Sequence, residues 1–134
     1  MKILVTGGLG FIGSNFILHV LKNYPKIEII NLDAGLTGSN INNLKEIEKS
    51  KNYDFVSGNI NNKLCVEKII KDVDGVINFA AESHVDRSIL DSKPFLESNI
   101  MGVYSVLDTI RTKKPEIKFL QISTDEVFGS LSTS

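Results

Sequence analysis

Thr6-Gly7-Gly8-Leu9-Gly10-Phe11-Ile12-Gly13 is the stretch on which the reading of this chain turns. The apolar, β-branched run Lys2 to Thr6 precedes it, and Phe11 to Asn23, with apolar residues at three- and four-residue spacing, follows it. A strand, a glycine turn and a helix in that order form a phosphate-binding turn, and the context is what makes the glycine pattern specific. So tight a turn needs residues free to take positive φ, a diphosphate must approach backbone with no Cβ in the way, and Gly13 lets helix and sheet pack closely. The helix N-terminus then offers N–H groups and a positive dipole end to phosphate. Gly7, Gly10, Phe11, Ile12 and Gly13 are therefore the first candidate cofactor-binding residues.

Outward from the turn, short β-branched runs alternate with stretches of helical period, the pattern of a parallel sheet with crossover helices. Strands are expected at Lys2 to Thr6, Glu28 to Asp33, Tyr53 to Ser57, Gly75 to Ala80 and Lys118 to Ser123. Helices are expected at Phe11 to Asn23, Asn61 to Asp72 and Lys93 to Thr112, the last capped by Ser92 and carrying Pro94 in its first turn. On that long helix Phe95, Asn99, Ile100, Val103, Leu107 and Ile110 share a face, so Asn99 is expected to hydrogen-bond to backbone in the core. Gly35 to Ser50 reads as a loop leading to a short helix around Leu44 to Lys49. Right-handed crossovers give an α/β, doubly wound parallel sheet of the Rossmann type in the order 3-2-1-4-5, one or more strands short of a full dinucleotide fold.

Asp33 closes the second strand, 20 positions after Gly13, where a carboxylate accepts both hydroxyls of an adenosine ribose. It would repel a 2′-phosphate, and Ala34, Gly35 and Leu36 supply no cation to receive one, so NAD is favoured over NADP. Asn59 and Ile60, just past the third strand, are further candidates on the adenine side.

Composition narrows the class. Lys plus Arg number 15 against 16 for Asp plus Glu, which leaves no electrostatic excess to hold a nucleic-acid backbone or a membrane surface. No apolar run is long enough for a signal peptide or a span, and the single Cys65 reads as a buried, reduced thiol, so a cytoplasmic protein is expected. No metal-ligand set is read.

Two later stretches narrow the reading further: Phe79-Ala80-Ala81-Glu82-Ser83-His84-Val85-Asp86-Arg87-Ser88-Ile89 and Ser123-Thr124-Asp125-Glu126-Val127-Phe128-Gly129. With the Gly7, Gly10, Gly13 spacing they make the chain resemble the extended short-chain dehydrogenase/reductase superfamily, and within it the dTDP-glucose 4,6-dehydratases, over nearly its whole length. The resemblance implies that a hydride passes from C4 of the glucosyl ring to NAD and returns to C6. It makes Thr124 the hydrogen-bonding partner of the reacting oxygen, Glu126 the base at C5 and Asp125 the acid at the departing C6 hydroxyl. Ala80, Ala81 and Ser123 would lie against the cofactor, and Ser83 and His84 would face the sugar-phosphate side. Asp86 and Arg87 read as a local loop pair. One carboxyl must be protonated while its neighbour is ionised, and repulsion between adjacent acids pushes their pKa values apart in that sense. On a regular strand Asp125 and Glu126 would point to opposite faces, so the chain must leave the strand near Ser123 and bend.

The family's downstream Tyr-x-x-x-Lys does not occur here: Tyr24, Tyr53 and Tyr104 are not followed by Lys four residues on. A substrate lobe is likewise not expected within these residues, and Leu131-Ser132-Thr133-Ser134 resembles a frayed or artificial end. The expectation is an NAD-binding Rossmann domain spanning 1–134, catalytically incomplete, self-associating through the sheet edge beside its fifth strand and meeting a sugar nucleotide only if the missing half is supplied. A stand-alone dinucleotide-binding module, a split enzyme completed in trans, and a fragment of a nucleotide-sugar epimerase remain the alternatives.

Overall fold

The computed structural model describes residues 1–129. Its elements are β1 (Lys2–Thr6), α1 (Phe11–Asn23), β2 (Glu28–Asp33), a 3₁₀ helix (Ile41–Ile47), β3 (Tyr53–Ser57), α2 (Lys63–Ile70), β4 (Gly75–Asn78), α3 (Val85–Leu90), α4 (Lys93–Phe95), a π-helical stretch (Leu96–Gly102), α5 (Val103–Lys113), β5 (Lys118–Gln121) and a 3₁₀ turn (Asp125–Phe128). The strands form one parallel sheet in the order β3-β2-β1-β4-β5, as the crossover rule requires.

Alternation along the strands sends side chains into two cores, one on each face. Ile3, Val5 and Ile29 pack with Ile17 and Val20 of α1 and with Leu44 of the first 3₁₀ helix. Leu4, Leu32 and Val76 pack on the other face with Val66, Ile69 and Ile70 of α2 and Val106 and Ile110 of α5. A sheet buried on both faces explains why its strands read as near-continuous apolar runs.

Several element ends differ from expectation, each for a local reason. β4 stops at Asn78 rather than Ala80 because its partner β1 stops at Thr6, opposite Asn78, before the glycine turn swings away. β5 in turn stops at Gln121 rather than Ser123, since Asn78 is its last partner. α2 is shorter than Asn61 to Asp72 because the Asn62 side chain accepts from Cys65 N–H and caps it. The 3₁₀ helix starts before Leu44 because the Asn40 side chain accepts from Asn42 N–H. Ser92 makes no side-chain cap; Asp91 Oδ1 accepts Lys93 N–H instead, while Pro94 does occupy the first turn. Cys65 is half-buried rather than buried.

The expected single helix from Lys93 is interrupted by the π stretch Leu96–Gly102. Its wider turn rotates the buried stripe, so Gly102, Val106, Thr109 and Ile110 face the core while Ile100 and Leu107 face solvent. Asn99 is likewise exposed rather than in the core, although its amide does bond to backbone.

Candidate dinucleotide site

Thr6 ends β1 between the two central neighbours β2 and β4, so the turn after it sits where the strand order reverses. Gly7 takes φ +69°, and a Cβ there would come within 2.6 Å of Ala80 N, so the turn lies directly against the backbone after β4. A Cβ on Gly13 would meet Gly7 O and come within 2.9 Å of Gly8 Cα, which is why helix and turn approach so closely only with glycine there. Gly10 N–H donates to Gly7 O at 3.2 Å, and the first helical bond is Ser14 N–H to Gly10 O at 3.0 Å. The N–H groups of Phe11, Ile12 and Gly13 come before that bond and have no acceptor within the helix. Phe11 and Ile12 hold their apolar side chains largely in solvent at this rim.

Asp33 lies at the end of β2, buried to 5 % exposure. Its Oδ2 accepts Leu9 N–H at 2.9 Å, and its Oδ1 accepts Gly35 N–H at 2.8 Å and the Ser39 hydroxyl at 2.9 Å. Asn40 N–H and Asn43 Nδ2 both donate to Leu9 O at 3.0 Å, so the loop after β2 is strapped onto the turn. Gly58 N–H donates to Asp33 O at 3.0 Å, which brings Asn59 beside the carboxylate end of β2. Asn59 Oδ1 is occupied by Asn61 N–H, and the Ile60 side chain is in the core against Gly102, leaving backbone and the Asn59 amide nitrogen for any ligand.

On the opposite face of the sheet a polar chain, buried at Thr6 and Asn78 and reaching the exposed Gln121, joins three strand ends. The Thr6 hydroxyl donates to Asn78 Oδ1, and Asn78 Nδ2 donates to Gln121 Oε1 at 2.8 Å. Ile122 N–H donates to Asn78 O at 3.0 Å, so the segment leaving β5 is tied to β4. The chain then bends, and Asp125 opens the 3₁₀ turn with Ser123, Thr124 and Asp125 all exposed. The required departure from the strand therefore comes two residues earlier than expected. Glu126 belongs to that turn; its side chain, like Leu131-Ser132-Thr133-Ser134, lies outside the described residues.

Ala80 is half-buried and Ala81 exposed on the loop after β4; Asn99 Nδ2 donates to Glu82 O at 2.8 Å and Asn99 Oδ1 accepts Glu82 N–H at 2.9 Å, fixing that loop. Ser83 and His84 are exposed, and the His84 carbonyl accepts Arg87 and Ser88 N–H at the start of α3. Arg87 pairs with Glu82 at 3.5 Å rather than with Asp86, because residues 85–90 form a helix and not a loop. Among the described residues no hydrogen bond joins Ser83 or His84 to Thr124 or Asp125. Asn31, Tyr53, Asn78 and Gln121 escaped the sequence reading. The signal was an amide inside an apolar strand, as in Ile29-Ile30-Asn31-Leu32, since a buried amide must find partners.

A family profile described as GDP-mannose 4,6 dehydratase matches residues 4–134. The chain belongs to this family. It is 43% identical over 131 residues to the low-salt glycan biosynthesis protein Agl12 of Haloferax volcanii, covering 98% of this chain and 42% of that protein. Among solved structures it is similar to a Bacillus anthracis dTDP-glucose 4,6-dehydratase in complex with NAD, at 46% identity and TM-score 0.89, covering 100% of this chain and 41% of that one. It is also similar to DesIV, a dTDP-glucose 4,6-dehydratase of Streptomyces venezuelae solved with NAD bound, at 37% identity and TM-score 0.93, covering 100% and 42%. This member of the family thus spans about two fifths of the length of the relatives it matches.

Proposed function

We propose that this chain is the NAD-binding part of a nucleotide-sugar 4,6-dehydratase, of the kind that converts a nucleotide-linked glucose to its 4-keto-6-deoxy form. The observation that carries the reading is the turn itself: three helix-start N–H groups without helical acceptors beside a buried carboxylate, at the strand-order reversal. That donor set fits a dinucleotide. The N–H groups of Phe11, Ile12 and Gly13 would receive the diphosphate, with Gly7 and Gly10 leaving the backbone bare. A carboxylate has about four acceptor positions, and three protein donors on Asp33 leave one for a ribose hydroxyl. Ala80, Ala81 and Ser123 would line the nicotinamide side, with Asn59 and Ile60 towards the adenine.

Bound there, NAD would supply a hydride acceptor that is regenerated within the turnover. The chain's own residues would do the proton work. The Thr124 hydroxyl would hydrogen-bond to the sugar O4, Glu126 would take the C5 proton, and Asp125 would give a proton to the departing C6 hydroxyl. Ser83 and His84 would meet the sugar-phosphate side. Without a Tyr-x-x-x-Lys pair these 134 residues alone would not turn over sugar nucleotide, since loss of a positioned base typically removes ~10²- to 10⁴-fold of rate. The reading also makes the protein a self-associating cytoplasmic one; no helix among the described residues is long and apolar enough to cross a membrane.

Calorimetric titration with NAD and NADP tests the binding. NAD is expected to bind and NADP to bind at least tenfold more weakly, with the preference abolished in Asp33→Ala; equal affinity of the unaltered chain for both would overturn the cofactor assignment. Joined to a segment carrying Tyr-x-x-x-Lys, the chain should form 4-keto sugar, and Asp125→Asn or Glu126→Gln should cut that rate ~10²-fold or more. An epimerised sugar nucleotide in place of the 4-keto product, formed at an unchanged rate in both variants, would favour an epimerase.

A further inference from the structure

We propose that Asn31, backed by Tyr53, is a positioning residue that sets the peptide planes of the dinucleotide turn. The Asn31 side chain is fully buried in an apolar strand. Its Oδ1 accepts Gly8 N–H at 3.1 Å, and its Nδ2 donates to the Tyr53 hydroxyl at 2.9 Å. Two residues on, on the same face of β2, Asp33 Oδ2 accepts Leu9 N–H. One strand therefore turns two successive amides of the loop inward. With the Gly7–Gly8 peptide held that way, Gly7 O is left to accept Gly10 N–H, and the donors of Phe11, Ile12 and Gly13 are the ones presented outward.

The turn cannot hold this arrangement unaided. Gly7 and Gly8 place few steric limits on the peptide between them, and without an acceptor Gly8 N–H would rotate towards water or ligand. Only the oxygen of the Asn31 amide satisfies Gly8, so its nitrogen must find an acceptor on the other side, and the Tyr53 oxygen is placed there. Burial raises the Tyr53 phenol above its ordinary value, so it stays a neutral hydroxyl. Asn31 also packs directly beneath the turn: a Cβ on Gly8 would collide with its side chain and with Ile17.

This inference rests on the reading of the turn as an NAD site, and the experiment separates the two. Asn31→Leu removes both ends of the amide at similar volume, Tyr53→Phe frees the amide to rotate, and Ile29→Val is a packing control on the same strand and face. NAD affinity is expected to fall about tenfold in Asn31→Leu and about threefold in Tyr53→Phe, with the double variant no weaker than Asn31→Leu, because Tyr53 acts through Asn31. Ile29→Val should lower the thermal midpoint without changing affinity. Unchanged affinity in Asn31→Leu, or losses that add in the double variant, overturns the proposal. If Asn31→Leu does not fold, Tyr53→Phe decides: its unchanged affinity overturns the proposal and its weakened affinity sustains it. Should the unaltered chain bind no NAD, the proposed function falls, while faster hydrogen exchange at the Gly8 amide in Tyr53→Phe still reports the clamp and unaltered exchange refutes it.

Discussion

Asp33 carries two duties whose consequences can be separated. It is the acceptor expected for a ribose, and it is also the acceptor for Leu9, Gly35 and Ser39. Removing it leaves the buried Leu9 N–H without an acceptor, whereas the exposed Gly35 N–H and the half-buried Ser39 hydroxyl can turn to water. Asp33→Ala should therefore lower folding stability by about 1–3 kcal/mol as well as abolish cofactor preference. Asp33→Asn, which retains one acceptor oxygen, should cost less stability; chemical denaturation of the two variants beside their titrations checks this. Gly13 is constrained differently. A Cβ there meets the backbone of the Gly7–Gly8 turn, at Gly7 O and Gly8 Cα, and backbone cannot rotate away as a side chain can. Gly13→Ala should destabilise the chain by roughly 1–3 kcal/mol, as overpacking does, measurable by urea unfolding. The places of Gly13 at the helix start and of Asp33 at the end of β2 were legible from spacing and strand context. The strap from Ser39, Asn40 and Asn43 was not, because it depends on where a loop without period folds back.

Among the elements, the long helix beginning at Lys93 departs most from its sequence pattern. A single extra residue in a π turn changes which side chains face inward, and no periodicity argument sees such an insertion until the whole face is known. Its lower half, α5, is tied to α2 through Asp108, which accepts Lys63 Nζ at 2.9 Å and Arg111 at 2.7 Å. Hydrogen bonds from Arg111 first and Lys63 second hold the Asp108 carboxyl below its ordinary value. A depressed carboxyl contributes stability that is present above its unfolded pKa and is lost as pH falls through the lower folded value. Asp108→Asn should therefore be less stable than the unaltered chain at neutral pH and indistinguishable from it in strong acid. Thermal midpoints from pH 7 to pH 2 check this, and added salt should shrink the neutral-pH difference because the pairs reach the surface.

For the molecule as a whole, the sheet is covered on both faces but closed at neither edge. β3 and β5 each pair on one side only, among the described residues. Val85, Ile89, Leu90, Leu96, Ile100, Met101, Tyr104 and Leu107 also leave large apolar side chains in solvent along the α3 to α5 surface. We expect a second copy of the chain to cover these side chains. Sedimentation over a concentration series should show dimers or larger species, with Ile100→Glu and Leu107→Glu shifting the chain towards monomer. If Leu120→Lys on β5 does so instead, the sheet edge is the contact. The interior is better closed. Leu4 is fully buried on the central strand, and Leu4→Ala should cost about 2–5 kcal/mol in denaturant unfolding.

Local chemistry and period were enough for the sequence to determine the five strands, their order, the turn between β1 and α1 and the acid at the end of β2. Each is written in neighbouring residues: apolar alternation, glycines at fixed spacing, crossovers of one hand. Tertiary structure alone decided where β4 and β5 stop, how the π stretch turns the helix face, and that Asn31 and Asn78 bond the strand ends to the turn and to each other. The strand ends and amides depend on partners 22 to 72 residues away along the chain, a separation over which neither has a sequence pattern of its own.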